Sequence, residues 1–367
     1  MDYLAVKNNN NKNHKRRHDL KPTVYWDNGY VIMIDQTKLP NKLTYVKFKD
    51  YKGVANAIKN LVVRGAPAIG IAAAFGLGLA AQESKAKNIT ELMLDLDIAY
   101  NILKSTRPTA VNLFWALKHV FEKAKEMDSV DKIKKAVIDE ANKLAEEDLK
   151  INKQIGLNGA HLFNDGDVIM THCNAGALAT SAYGTALGVI RAARDSGKRV
   201  SVIVTETRPV MQGSRLTAFE LQYDHIDVSL IPDTAVGHMM SRGAIKHIIV
   251  GADRILYSGH VFNKIGTYQL AIMAKIHEIP FYVAAPISTF DLKNTDPNDI
   301  EIEERSVDEV IMIGKKRIAP KGVRIFNPAF DITPPNLITA IITEKGIITP
   351  PFQENLRLVL GRRCVSK

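Results

Sequence analysis

The chain reads as an α/β protein, with a mostly helical first part that opens on a small hairpin and a parallel sheet in the second part. Three observations predict this. Apolar residues recur at helical spacing from about 54 to 156. Beyond 168, short β-branched runs alternate with stretches long enough for crossovers. Near the start, Asn28-Gly29 lies between two apolar runs, which is a strong hairpin signal.

The elements follow in order. Residues 1–21 hold Lys7, Lys12, Lys15, Arg16, Arg17 and Lys21 against Asp2 and Asp19, with four consecutive Asn. Such a composition buries too little apolar surface to fold, and a disordered basic tail is expected. Segments 23–26 and 30–34 would pair around Asp27-Asn28-Gly29. Ala55, Ile58, Leu61 and Val62 mark one helix face; Ile133, Val137, Ala141 and Leu144 mark another, capped by Asp128 or Ser129. Five strand-like runs then appear, at 168–171, 200–205, 226–231, 247–250 and 281–284, with a last apolar segment near 337–343. Strands joined by right-handed crossovers make a Rossmann-like parallel sheet. The expected division is a tail over 1–21, a helical domain over 22–156 and a catalytic domain over 157–367.

With 46% hydrophobic and 24% charged residues, the composition is that of a globular protein. No membrane-spanning stretch is expected, nor is a secretory leader, and the expected compartment is the cytoplasm. Of the net charge of +10, the tail carries +4, and the +6 spread over the body suits an anionic small-molecule substrate as readily as anything larger. The basic tail lacks interleaved aromatics beyond Tyr3, so no nucleic-acid partner is expected. Two cysteines, Cys173 and Cys364, cannot build a disulfide scaffold or a cysteine zinc site. With no P-loop, HExxH or paired CxxC, neither a cofactor nor a bound metal is expected. Gly76-Leu-Gly-Leu-Ala-Ala81 fits a dinucleotide fingerprint but follows no strand, so it is set aside.

The chemistry-bearing clusters all follow the strand-like runs. Cys173 comes after the first, in Thr171-His-Cys-Asn-Ala-Gly176, and Glu206-Thr-Arg208 after the second. Asp233 follows the third, Gly251-Ala-Asp253 the fourth and Pro286-Ile-Ser288 the fifth. Ligands of open α/β sheets bind beyond the carboxyl ends of the strands, so these clusters would form one rim. A lone cysteine is more often a small buried hydrophobe, and that placement shifts Cys173 toward function. Asp253, after an apolar run, could stay protonated as a general acid, or could cap a helix or pair with Arg254. Asn263-Lys264 would grip phosphate near a helix start, and Gln212 would donate to sugar hydroxyls. Arg64-Gly65-Ala66 and Arg107-Pro-Thr109 join guanidinium groups to small or proline-containing turns.

Together these motifs, with Asn263-Lys-Ile-Gly-Thr267, Ala285–Asp291 and Asn327-Pro-Ala-Phe-Asp331, resemble the 5-methylthioribose-1-phosphate isomerase family. That family is related to regulatory subunits of a translation-initiation exchange factor. The resemblance implies a homodimer acting on a sugar phosphate, with Asp253 as proton donor and Cys173 as its catalytic partner. It also implies that Arg64, Gly65, Ala66, Arg107, Gln212, Asn263 and Lys264 hold the substrate. His260 stands where the family usually has an acidic residue, and Phe262 where it usually has a small one. Two other readings stay open: a ribose-1,5-bisphosphate isomerase and a non-catalytic exchange-factor subunit. Whether hydrogen moves from C2 to C1 as a proton or as a hydride is also open.

Overall fold

The computed structural model describes residues 20–107 and 110–360. The tail expected over 1–21 lies outside the described residues up to position 19, as do Pro108, Thr109 and Cys364. The chain divides into two compact units: residues 20–153 with Ala175–Gly188, and Gln154–Asn174 with residues 189–360.

The first unit opens on β1 (Val24–Asp27), β2 (Tyr30–Ile34) and β3 (Tyr45–Phe48), an antiparallel sheet in the order β1-β2-β3. The hairpin expected from Asn28-Gly29 is present: both residues take positive φ, 47° and 81°, and Trp26 pairs with Val31. β3 was not anticipated, because its alternation is too short to register in sequence. Five helices follow: α1 (Tyr51–Lys59), α2 (Ala66–Glu83), α3 (Ile89–Lys104), α4 (Val111–Lys125) and α5 (Val130–Ala160). Asp50 caps α1 by accepting from the Gly53 amide at 2.7 Å, and Asn88 caps α3 at Glu91 (2.9 Å). Leu61, read as part of the first helix face, lies beyond α1 with φ 59°, where the chain turns toward Arg64.

α2 is more apolar than the expectation of no membrane-spanning stretch allowed for. By length and composition it qualifies. Every residue from Ala68 to Ala81 is nevertheless buried, with α1, α3 and α4 packed around it. A helix apolar on all sides is one enclosed by other helices. The set-aside Gly76–Ala81 motif lies inside this helix. Residues Ala175–Gly188 also pack in this unit: Thr23 donates from N and Oγ1 to the carbonyls of Ser181 (2.7 Å) and Ala177 (2.8 Å).

The second unit contains β4 (Val168–Thr171), α6 (Ala186–Asp195, whose first residues belong to the other unit), β5 (Ser201–Thr205), α7 (Ala218–Tyr223), β6 (Asp227–Ile231), α8 (Val236–Ser241) and β7 (Ile245–Val250). There follow β8 (Arg254–Leu256), β9 (Val261–Lys264), α9 (Thr267–Ile276), β10 (Phe281–Ala284), β11 (Phe290–Asp291), α10 (Asp308–Ile311), β12 (Met312–Ile313), β13 (Lys316–Arg317), β14 (Phe330–Thr333), β15 (Ala340–Thr343), β16 (Gly346–Ile348) and α11 (Phe352–Leu360). The main sheet runs β16-β15-β10-β7-β4-β5-β6, parallel throughout except for the antiparallel edge strand β16. Strands β4, β10 and β15 are buried along their whole length, as expected of a sheet covered on both faces. A second sheet, β11-β8-β9-β14, was not anticipated. Its strands are too short for a sequence pattern, and although β8 and β9 form a local hairpin, β11 and β14 join it from farther along the chain.

Arg191 of α6 has no exposed surface, and it bridges Glu220 of α7 and Asp224 just after that helix, each at 2.7 Å and with side chains also fully buried. Replacing Arg191 with Met leaves two carboxylates buried without their cation. The expected loss is about 3–5 kcal/mol of folding stability, read by urea denaturation. A loss below about 1 kcal/mol would show that the cluster is not held together by this charge.

Candidate active site

Numbered by their order among the six parallel strands, β4, β5, β6, β7, β10 and β15 lie in the sheet as 6-5-4-1-2-3. That is the doubly wound order, whose direction of winding reverses between its first and fourth strands. Ligands bind at this switch point, where two crossovers leave in opposite directions. Here the two strands are β4 and β7. Cys173 follows the first and Asp253 follows the second. Thr171 Oγ1 donates to the Ile249 carbonyl at 2.7 Å, tying the two strand ends together. The five clusters expected to share one rim do follow neighbouring parallel strands of one sheet.

Cys173 is a buried thiol outside any disulfide among the described residues, and its backbone is in the left-handed region at φ 59°. L side chains disfavour this conformation, so the surroundings must impose it. The Cys173 amide donates to Thr207 Oγ1 (2.9 Å), and its carbonyl accepts from Thr217 Oγ1 (2.5 Å). Next to it, Asn174 Nδ2 donates to Thr217 Oγ1 (3.1 Å) and to Glu220 Oε1 (2.8 Å), which joins the turn to the Arg191 cluster. Before it, the buried His172 ring lies 2.6 Å from Thr205 Oγ1 and 2.9 Å from the Ile265 carbonyl.

After β5, Thr207 also takes a left-handed φ, 64°. The amides of Thr207 and Arg208 both donate to the Asp233 carboxylate, each at 2.7 Å. Asp233 therefore holds this turn in place. The chain then enters a π-helical turn, Gly213–Thr217, just after Gln212. A Cβ on Gly213 would lie 1.7 Å from the Thr205 carbonyl, so only glycine lets this turn sit against the end of β5. Gln212 Oε1 is buried and accepts no hydrogen bond from the described residues. A buried acceptor without a donor is costly, and a ligand hydroxyl would supply one.

Asp253, half-buried, lies between β7 and β8, and its amide donates to the Phe262 carbonyl at 2.9 Å. Arg254, considered as its ion partner, is paired with Asp291 (3.6 Å). Asn263 and Lys264 end β9 rather than lying in a loop, paired with Asp331 and Phe330 of β14. Asn263 Nδ2 donates to Thr267 Oγ1 (3.0 Å). The Lys264 ammonium donates to the Ala329 carbonyl (2.8 Å) and lies 4.8 Å from the centre of the Phe330 ring. The start of α9, expected to face phosphate, already holds an anion: the amides of Gly266 (2.7 Å) and Tyr268 (3.1 Å) donate to Asp331. Of the two departures from the family pattern, Phe262 is buried in β9, and His260 Nδ1 bonds Ser258 Oγ at 2.9 Å.

Arg64, Gly65, Ala66 and Arg107 lie in the helical unit, and the other five candidate residues lie in the α/β unit. Gly65 has φ 96°, and a Cβ there would lie 2.4 Å from the Ala179 backbone. It precedes α2, with Ala66 and Pro67 in the first turn. Sequence reasoning passed over His172, Thr205, Thr207 and Asp331 as functional residues. All but Thr205 stand inside the motifs that carry the family resemblance. What singles the four out is hydrogen bonding across residues distant in sequence, which local pattern does not carry. Among the described residues, no group of three or more His, Cys, Asp or Glu is arranged to hold a metal.

The initiation factor 2 subunit family matches residues 62–350. The methylthioribose-1-phosphate isomerase of Thermosipho africanus is 53% identical over 335 residues, covering 91% of this chain and 97% of that protein. The crystal structure of 5-methylthioribose 1-phosphate isomerase from Pyrococcus horikoshii OT3 superposes with a TM-score of 0.89 at 46% identity, over 95% of this chain and 99% of that one. The crystal structure of translation initiation factor eIF-2B, subunit delta, from A. fulgidus superposes at 0.85 with 50% identity, over 93% and 99% of the two chains. The switch-point architecture and these likenesses, which run through nearly the whole chain, agree: this protein belongs to the initiation factor 2 subunit family.

Proposed function

We propose that the protein is an aldose–ketose isomerase, converting 5-methylthio-α-D-ribose 1-phosphate to 5-methylthio-D-ribulose 1-phosphate in methionine salvage. The observation that carries the reading is the pairing of Cys173 and Asp253 on the two strands of the switch point. It occurs in a chain 53% identical to an isomerase of that name. A furanose 1-phosphate has its anomeric oxygen capped, so ring opening gives no free aldehyde. Asp253, as an acid, donates its proton to the ring oxygen, and the bond from that oxygen to C1 breaks. Hydrogen then passes from C2 to C1, and the C2 hydroxyl loses its proton as the ketone forms.

Cys173 is the partner at C2. As a thiolate it takes the C2 proton and returns it to C1; in a hydride shift it shelters the cation instead. Gln212, with its unpaired oxygen, would accept from a sugar hydroxyl. By the family resemblance, Arg64, Gly65, Ala66, Arg107, Asn263 and Lys264 are the residues proposed to hold the sugar phosphate. Asp331 occupies the first amides of α9, so the grip on that side falls to Asn263 and Lys264 rather than to the helix end. The buried, apolar Phe262 beside Asn263 suits a methylthio sugar better than a second phosphate. We place the enzyme in the cytoplasm as a homodimer, a reading supported by the family resemblance and by exposed apolar side chains such as Leu230 and Phe326 in the α/β unit.

The test is turnover of methylthioribose 1-phosphate and ribose 1,5-bisphosphate side by side. Preference for the bisphosphate overturns the substrate. Absence of isomerisation together with tight binding to an initiation factor overturns the enzyme in favour of the role that the A. fulgidus relative's name gives. Asp253→Asn should lower kcat roughly 10²–10⁴-fold while substrate still binds. Retention of a tenth of wild-type turnover removes Asp253 from the acid role. A thiolate base predicts a basic rise in kcat/KM that Cys173→Ser abolishes; a profile without that limb assigns the hydride route.

Asp331 gives a pH prediction. Burial pushes its carboxyl up to about 6, although the amides of Gly266 and Tyr268 and the Lys264 charge act in the opposite sense. The unfolded chain releases that proton near the ordinary value, about 3.9. The stability it contributes is therefore present below pH 4 and lost as pH rises through 6. The difference between the folded and unfolded chain corresponds to about 3 kcal/mol. Asp331→Asn should flatten the pH dependence of the urea midpoint between pH 4 and 6; an unchanged slope would show that Asp331 does not titrate there.

A further inference from the structure

His172 stands beside Cys173 and has no task in the reaction as described. Its ring is only 3% exposed. Nε2 lies 2.9 Å from the Ile265 carbonyl, which can only accept, so Nε2 carries a hydrogen. Burial holds the imidazole below its ordinary pKa; Asp233 pulls the other way, and Lys264 adds to the effect of burial. In the neutral ring Nδ1 is an acceptor, and Thr205 Oγ1 donates to it at 2.6 Å. Thr207 Oγ1 donates to the Thr205 carbonyl at 3.2 Å, lies 3.4 Å from the Thr205 hydroxyl, and accepts the Cys173 amide at 2.9 Å. A hydrogen-bonded path thus runs from Ile265 through His172, Thr205 and Thr207 to Cys173.

Both ends of the path are built for it. Cys173 is held in the left-handed region, where few residues other than glycine stay without support. At the other end, a Cβ on Gly266 would come within 3.1 Å of the His172 ring. Glycine at that position lets the imidazole sit against the turn that follows Lys264. An apolar ring would fill the space as well but would leave the Ile265 carbonyl and the Thr205 hydroxyl without partners.

We propose that His172 is a positioning residue for the isomerisation: bonded through Nε2 to the Ile265 carbonyl and through Nδ1 to the Thr205 hydroxyl, it couples the Lys264–Gly266 turn to the Cys173 turn and so sets the thiol relative to the bound sugar phosphate. The proposal rests on the isomerase reading above. A histidine that merely fills the core would affect stability and leave the kcat of folded protein alone.

The test uses the full-length protein with Thr205→Val and Thr205→Ser. The first keeps the shape but removes the donor to Nδ1; the second restores the donor. Because misplacing a catalytic group by an ångström costs up to about 10²-fold, Thr205→Val should lower kcat roughly 10–100-fold with KM within about twofold. Thr205→Ser should return kcat to within about threefold of wild type. Thr205→Val with unchanged kcat, equal losses in the two variants, or a loss confined to KM overturns the proposal. A second readout needs no substrate: the rate at which iodoacetamide alkylates Cys173, followed by mass spectrometry of its peptide. That rate should change in the valine variant and recover in the serine variant; identical rates in all three proteins overturn the coupling. If wild-type protein fails to isomerise methylthioribose 1-phosphate while alkylation still separates the two variants, the isomerase reading falls and the coupling stands.

Discussion

A guanidinium with no exposed surface organises the α/β unit around its reactive turn. Arg191 cannot be deprotonated, so its burial requires anions, and α7 and the residue that caps its end supply them in Glu220 and Asp224. Glu220 has a second oxygen to satisfy, and Asn174 donates to it at 2.8 Å. The same amide reaches Thr217, whose hydroxyl takes the Cys173 carbonyl. A buried charge in one helix thereby determines where the residue after Cys173 must lie. The arrangement is stringent because any partner left unpaired inside the protein costs the full desolvation of a polar group.

Around that anchor the strand ends are finished by side chains rather than by solvent. Asp233 takes the two amides that follow β5, and Asp331 takes the two that open α9. Both carboxylates occupy places where an anionic ligand would otherwise bind, so the protein's own anions shape the site. Cys173 and Thr207 adopt left-handed backbones in this setting. Such strain is tolerated where surrounding hydrogen bonds over-determine the conformation, and here each of the two residues has its amide committed to a side chain. The consequence is a thiol with a fixed backbone just beyond β4, the strand next to the one that Asp253 follows.

Much of this is legible in the sequence. Asn28-Gly29 announced its hairpin because a tight turn demands residues that accept positive φ. The β-branched runs announced the parallel strands, because a strand buried on both faces is apolar throughout. The rim of clusters followed from strand polarity alone. Other features left no trace. β3 and the strands of the sheet β11-β8-β9-β14 are only two to four residues long, too short for a period to register, and β11 and β14 find their partners far away in the chain. Leu61 matched the helical period yet lies outside α1, since a period says nothing about where the last hydrogen bond forms. α2 could be mistaken for a membrane span, since composition cannot distinguish lipid from a shell of other helices.

By itself, the sequence determined the fold class, the six parallel strands of the main sheet and the polar clusters that follow them. Each of these depends on local composition and period. Only the tertiary structure decided the strand order that sets Cys173 and Asp253 on adjacent strands, the engagement of the α9 amides by Asp331, and the His172 path that ends at the Cys173 amide. These depend on hydrogen bonds between groups far apart in the chain. Their strength comes from burial, and burial exists only once the chain has folded.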